Sequence, residues 1–292
     1  MSIVTPPTPP RLTDRFPQMP PAACRAVLET LRAAQDDEAR AMATARLLEH
    51  QPVLNYEYEA GQTFWRARRM EGETPYTHER EMLWPQTASG QGRAHRPGTP
   101  MLYVAAKRDT ALAECDARQE EIFQLVSVRI QADTRARLIP LGELFHVQRT
   151  GISLTGSIER ARIIDGLLNA SSRGSAEGIV YVDAWLDDEF SKPGQHDMTG
   201  LLAECLFAKA ATPDGILYLS VKQKGGRNVA IRPAAFSERW HVVSSSVVRV
   251  REVLGFGMFA LEYMAHADGI FVDGRFRWEI GTPSQNSHIE WR

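Results

Sequence analysis

Cysteine is scarce: Cys24, Cys115 and Cys205 are the only three in 292 residues, too scattered and odd in number for a disulfide framework or a zinc site. An excess of one charge is lacking too. The formal net charge of −2 leaves no broad basic field for nucleic acid. No apolar run approaches the roughly 20 residues that span a bilayer, so a membrane partner is not expected. The start of the chain has no basic-then-apolar signal pattern. A reducing cytoplasm is the default compartment, with export by a route that needs no cleaved signal left open. No Gly-x-Gly-x-x-Gly follows a strand pattern, which argues against a dinucleotide redox site, and no internal repeat is visible. What is present is a hydrophobic fraction of 43%, ample for a buried core, and a length that suits one large domain or a domain with extensions.

Residues 1–55 read as a proline-rich lead followed by a helical extension. The first 21 positions are rich in proline and threonine; from Ala22 to His50 good helix formers take over and give two helices, ended by Pro52. Val27, Leu28 and Leu31 share one face, and Leu47 and Leu48 share another with Thr44. Residues 56–238 read as the main domain. Thr63 to Arg68 alternates as a strand, with Phe64 and Arg66 on one side and Trp65 and Ala67 on the other. Met70 to Gly98 is long, irregular and basic, carrying Arg69 at its edge and Arg80, Arg93, Arg96, His78 and His95 within; a phosphate-binding lid is one reading.

Strands are expected at Met101–Ala105, Ile122–Ile130 (central), Leu138–Leu141 and Gly178–Val182. Helices are expected at Thr110–Arg118 with Asp109 as N-cap, at Ser157–Asn169, and from Asp197 or Thr199 to Ala210. Ile216–Ser220 and Asn228–Ile231 flank Gly225-Gly226 as a hairpin. Residues 239–292 read as an appended β-rich extension, with Val242–Val250 and Gly269–Trp278 as its strands. The fold class expected is α+β, a mixed sheet with flanking helices.

Six pieces of this pattern, in order over about residues 60–237, resemble the RES family, a mixed α/β domain of bacterial toxins named for its Arg, Glu and Ser residues. Phe64-Trp65-Arg66-Ala67 is similar to its opening strand, Gly92-Arg93 to its Gly-Arg turn, and Thr99 to Ala105 to its "G-x-P-x-LY-x-A" strand. Thr110-Ala111-Leu112-Ala113-Glu114 resembles its Thr-Ala-x-x-Glu helix. Thr199 with Leu202-Ala203-Glu204 resembles a second helix motif, and Asp214 to Ser220 with Asn228-Val229 the closing strands. The chain departs from the pattern at Ala94-His95, where an Asn often follows Gly-Arg, and at Gly200, where Gln is usual.

The resemblance implies an ADP-ribosyltransferase-like fold and an enzyme that consumes NAD⁺, by hydrolysis or with phosphate as acceptor, often beside an antitoxin or immunity protein. NAD⁺ is then substrate, with no resident cofactor and no metal. Breaking the nicotinamide–ribose bond makes an oxocarbenium-like cation, and the leaving nicotinamide departs neutral. One carboxylate can therefore serve where ordinary glycosidases use two. Glu114 is the candidate, hydrogen-bonding a ribose hydroxyl and stabilising the developing charge. Arg66 and Arg93 are candidates for the pyrophosphate. Tyr103 is a candidate to stack on nicotinamide or ribose, and Ser220 to bond the nicotinamide ribose or amide. Each has a plainer reading: Glu114 a solvated helix residue, Arg66 an ion pair with Glu71 or Glu73, Tyr103 core, Ser220 a turn, His78 and His95 surface. Cys115 follows Glu114 with no activating partner, so a thiol nucleophile is not expected. The rivals are a transferase that modifies a macromolecule and an inactive RES-like binding module; self-association stays open.

Overall fold

A computed structural model describes residues 19–72, 74–84, 90–194 and 196–278. The proline-rich lead thus falls largely outside the described residues, as do Glu73 and residues 279–292. Chain contacts divide the fold into two compact units. One draws on Met1–Leu54, Pro140–Glu189 and Cys205–Lys209; the other on Asn55–Ile139, Phe190–Glu204 and Ala210–Arg292. Among the described residues no helix is long and apolar enough to cross a membrane.

The first unit is helical. Helices α1 (Pro21–Ala33) and α2 (Asp37–Glu49) are those expected from the composition, and they bury Val27, Leu28, Leu31, Leu47 and Leu48. Asp36 caps α2 by accepting from the Ala39 amide at 2.8 Å. Helix α5 (Glu143–Thr150) and α6 (Ile158–Asn169) follow in this unit, then α7 (Arg173–Ser191). Helix α7 corrects the strand expected at Gly178–Val182. The β-branched run Ile179-Val180-Tyr181-Val182 is strand-like locally, but its buried positions Ser175, Ile179, Val182 and Leu186 repeat every three to four residues. Helical burial of that stripe outweighs local propensity. Gly178 is required there, because a Cβ would meet the Met19 carbonyl and approach the Cys24 sulfur.

Two carboxylates of α7 sit in this unit at an apolar cost. Asp183 accepts from the amides of Gly142 (3.2 Å) and Phe145 (2.9 Å) at the start of α5. Burial pushes it up to about 7, against the pull of those amides, and Asp187 adds to the rise. Burial and then the charge of Asp188 push Asp187 up to about 6; its Oδ1 is buried with no hydrogen-bond partner among the described residues. Both groups keep a proton in the fold at pH values where the unfolded chain has lost it. Their contribution is whole below about pH 4 and is lost as pH rises through 6 and 7. The urea midpoint should therefore be lower at pH 8 than at pH 5.5, and Asp187→Asn should raise the pH 8 midpoint and narrow the gap. An Asp187→Asn protein with an unchanged pH slope would remove Asp187 from the cause.

Among the described residues the second unit carries one sheet of ten strands. They are β1 (Tyr56–Glu59), β2 (Thr63–Arg69), β3 (Leu102–Ala105), β4 (Ile122–Ile130), β5 (Arg135–Pro140), β6 (Gly215–Leu219), β7 (Arg227–Ile231), β8 (Trp240–Gly255), β9 (Met258–Ile270) and β10 (Phe276–Trp278). Their order across the sheet is β1-β5-β6-β7-β3-β2-β4-β8-β9-β10. Strand β4 is interior, between β2 and β8, in keeping with the central place expected of Ile122–Ile130. The period-two pattern separates two cores. Phe64, Val126 and Val128 join one cluster with Leu102 and Trp240. Trp65, Ala67, Phe123 and Leu125 join another with Leu112, Val248 and Phe259. Strand β8 pairs with β4 from Ile122↔Arg249 to Ile130↔Trp240, so the chain after residue 239 continues this same sheet. The strand expected at Gly269–Trp278 is instead the end of β9, a turn, and β10.

Short helices α3 (Glu79–Leu83), α4 (Arg108–Glu114) and α9 (Pro233–Arg239) decorate this unit. Helix α8 (His196–Lys209) starts earlier than the Asp197 or Thr199 expected from capping chemistry. In α3, His78 is structural: its Nδ1 accepts from the Arg80 amide at 3.1 Å, and its Nε2 pairs with the Asp273 carbonyl at 2.8 Å.

Candidate active site

Four strands put four residues in one row. Tyr218 on β6 is in register with Asn228 on β7, Asn228 with Ala105 on β3, and Ala105 with Trp65 on β2. All four line a cleft of about 340 Å³, together with Arg66, Gly92, Arg93, Tyr103, Glu114, Cys115 and His196. That volume lies within the roughly 300–1,000 Å³ of small-molecule sites.

Glu114 reaches this row because α4 is short. The helix expected over Thr110–Arg118 with an Asp109 cap runs instead from Arg108 to Glu114, and Lys107 is its N-cap without a side-chain bond. Asp109 pairs with Arg108 at 3.2 Å. At the other end Asp116 adopts φ 50°, breaking the helix. Arg69 Nη2 then donates to the carbonyls of Cys115 (2.8 Å) and Asp116 (3.3 Å). Glu114 is thus the last helical residue, exposed at the cleft. One of its oxygens, Oε1, accepts from Ser220 Oγ at 2.6 Å and from Asn228 Nδ2 at 2.6 Å. Two donors on one oxygen fix the carboxylate plane and leave Oε2 to face a ligand.

Ser220 is held in turn. Its Oγ accepts from the amides of Gln223 (2.9 Å) and Lys222 (3.2 Å). With its lone pairs so used, the hydroxyl proton points to Glu114. Ser220 itself is not among the cleft-lining residues; it orients one that is. Lys222 closes the other side by pairing with Asp116 at 2.7 Å.

The arginines are partly engaged. Arg66 Nε donates to the Met82 carbonyl at 2.6 Å and its Nη1 to the Tyr103 carbonyl at 3.0 Å. Among the described residues these carbonyls, and no ion pair with Glu71, hold it; Glu73, the other partner considered, lies outside them. Burial pushes its guanidinium down to about 10, so it stays cationic at neutral pH. Arg93 Nη1 donates to the carbonyls of Phe190 (2.6 Å) and Lys192 (2.8 Å), tying down the segment that leads to His196. Each arginine braces backbone around the cleft while adding positive charge to its wall.

Tyr103 fastens the Gly92–His95 turn. Its hydroxyl accepts from the Ala94 amide at 2.8 Å and pairs with His95 Nδ1 at 2.8 Å, while His95 Nε2 pairs with the Gly90 carbonyl at 3.0 Å. Burial pushes the Tyr103 phenol well up, so it remains protonated. Gly92 has no room for a side chain: a Cβ would lie 2.5 Å from the Tyr103 oxygen and 2.6 Å from His95 Nδ1. Tyr103→Phe removes the side-chain acceptor of the Ala94 amide and one His95 bond. It should lower stability by about 1–2 kcal/mol, read as a shifted urea midpoint with unchanged slope.

Burial is the main reason the Cys115 thiol is pushed up, and its sulfur lies 3.5 Å from the Ala67 carbonyl; this is a packed thiol, not a thiolate nucleophile. Burial, then Arg93 and His95, hold His196 below the usual imidazole range, so it is neutral at neutral pH. Among the described residues no cluster of three or more His, Cys, Asp or Glu is placed to hold a metal ion.

The family comparison decides what this constellation belongs to. A family model described as RES domain matches residues 63–249, well over half of the chain. The chain belongs to the RES domain family. A search of curated proteins gives no match. The match starts at β2 and ends within β8, so it embraces the whole row of cleft residues. Of the candidates Arg66, Glu114 and Ser220, the first two line one cleft, and Ser220 stands behind it with its hydroxyl on Glu114.

The two departures from the RES pattern become physical. Gly200 packs against the 95–96 turn: a Cβ there would lie 3.0 Å from Arg96 Cγ and 3.2 Å from the His95 carbonyl. A Gln at that position would displace the turn. His95, standing close to where an Asn is frequent, anchors the same turn through both ring nitrogens. The residues that sequence reasoning did not assign are Asn228, Tyr218, Trp65 and His196. Asn228 was visible within the closing-strand motif, and a polar residue in a strand otherwise buried on both faces was the available signal. The cross-strand register that places it on Glu114 was not.

Proposed function

We propose that this RES domain cleaves the nicotinamide–ribose bond of NAD⁺ and passes the ADP-ribosyl group to water or phosphate. RES domains are associated with NAD⁺-utilising, toxin-like proteins. The observation that carries the reading is Glu114, with one oxygen fixed by Ser220 and Asn228 and the other open to a cleft whose wall bears Arg66 and Arg93. The electron pair of the broken C–N bond stays on nicotinamide, which leaves neutral. The acceptor oxygen bonds the anomeric carbon and its proton goes to solvent. Glu114 lies where a carboxylate can hold a ribose hydroxyl and lower the energy of the developing cation. Arg66 and Arg93 supply charge for the pyrophosphate, and Trp65 and Tyr218 supply ring surface for the nicotinamide ribose half. The family's toxin–antitoxin setting adds a neutralising protein partner to the proposal.

The test is to incubate the purified chain with NAD⁺ and follow free nicotinamide, with and without phosphate. ADP-ribose as sole product identifies hydrolysis; ADP-ribose-1″-phosphate, with a rate that rises with phosphate, identifies phosphorolysis. No nicotinamide in either buffer overturns the proposal. Label transferred from NAD⁺ to protein or nucleic acid, without turnover of NAD⁺ alone, would favour a macromolecular transferase.

A further inference from the structure

The β8–β9 hairpin tip lies beyond the end of the RES match at residue 249. It is nevertheless joined to the segment that holds Glu114, and the joint is Gln223. The Gln223 side chain uses both ends of its amide. Its Nε2 donates to the Gly257 carbonyl at 2.8 Å, at the tip of the hairpin. Its Oε1 accepts from the Thr110 hydroxyl on α4, one turn before Glu114. Its backbone amide donates at 2.9 Å to Ser220 Oγ, which donates to Glu114.

Two glycines make room for that side chain. At Gly257, where φ is +75°, a Cβ would lie 2.6 Å from both Gln223 Cγ and Nε2. At Gly226 a Cβ would lie 2.9 Å from Thr110 Cγ2 and 3.0 Å from the Gln223 carbonyl. The same carbonyl accepts from the Gly226 amide at 2.9 Å, closing the turn. Four hydrogen bonds and two close approaches therefore converge on one residue that does not line the cleft.

We propose that Gln223 is a positioning residue, which clamps the 220–226 turn between helix α4 and the β8–β9 hairpin tip and so holds Ser220 where it orients Glu114. The hairpin is thereby part of the catalytic apparatus of this chain. The kinetic half of the claim rests on the NAD⁺-cleaving reading; the clamp itself does not. Misplacement by about an ångström can cost up to roughly 10²-fold in rate, and a turn that still has its backbone bonds should lose less, on the order of tenfold.

The experiment compares the full chain with Gln223→Met, which keeps the length but loses both amide bonds, and with Gly257→Ala, which touches neither cleft nor Glu114. Two readouts are taken: steady-state nicotinamide release, and amide hydrogen exchange over residues 220–228. The expected result is a kcat lowered about tenfold in each variant with KM for NAD⁺ within twofold, and faster exchange in 220–228. The double variant should lose no more than the worse single one, because both break one clamp. A kcat within twofold of the parent, an effect on KM alone, or unchanged exchange in 220–228 would each overturn the proposal. If the parent releases no nicotinamide, the exchange result alone decides the clamp, and the failure belongs to the assigned reaction.

Discussion

Glu114→Gln should lower kcat for nicotinamide release by 10²-fold or more, about 3 kcal/mol of barrier, while leaving the urea midpoint close to that of the parent. The substitution keeps shape and keeps an oxygen to accept from Ser220 and Asn228. What it removes is the negative charge that the proposed reaction sets beside the anomeric carbon. A neutral amide still bonds a ribose hydroxyl, so KM for NAD⁺ should change less than kcat, the signature of an interaction strengthened in the transition state. Ser220→Ala and Asn228→Ala each remove one of the two donors on Oε1, and each should cost about tenfold. Their effects should not add, since both act by fixing one carboxylate. Because Glu114 is exposed and ends its helix, the loss cannot be attributed to unfolding. A Glu114→Gln enzyme within tenfold of the parent would leave the cleft without its central residue and would favour the reading of a RES-like binding module.

How much of this was legible in the sequence depends on the range of the signal. The period-two face assignment of β2 needed only neighbours in sequence, and Phe64 packs on one core while Trp65 and Ala67 pack on the other. So did the amphipathic stripes of α1 and α2. Gly178–Val182 misled because a β-branched run carries strand propensity over five residues, while the helix that contains it is defined by a stripe 19 residues long. Helix α4 misled at both ends for a related reason. Asp109 is good cap chemistry, but Arg108 claims its carboxylate, and the stop after Glu114 depends on Arg69, some 45 residues earlier in the chain. At the site, motif order brought Arg66, Glu114 and Ser220 together. It did not show that Tyr103 and both arginines spend donors and acceptors on backbone, because those partners, Met82, Ala94, Phe190 and Lys192, are set by tertiary packing. Tyr103, a candidate to stack on nicotinamide or ribose, lines the cleft, while its hydroxyl is committed to the turn.

The closing-strand motif contains a residue whose role is structural, and its substitution should have the largest effect on stability. Asp214 is fully buried at the start of β6. Its Oδ2 accepts from the Arg137 amide on β5 at 2.7 Å, and its Oδ1 is paired with Arg239 at the end of α9. Its own backbone is used twice, donating to the Arg137 carbonyl at 2.7 Å and accepting from the Arg232 amide at 2.8 Å. One carboxylate therefore ties β5, β6 and α9 together. Asp214→Ala leaves those backbone bonds but takes the acceptor from the Arg137 amide and deprives Arg239 of its buried partner. Removing one member of a buried pair costs about 3–5 kcal/mol; with Arg239 partly exposed, about 3 kcal/mol is expected. Asp214→Asn keeps an acceptor for one donor and should lose roughly half as much. Denaturant unfolding measures both, and kcat per folded molecule should stay within about threefold of the parent, because Asp214 does not line the cleft. A stable Asp214→Ala protein that had lost catalysis would reverse this assignment and place Asp214, rather than its neighbours along the motif, in the chemistry.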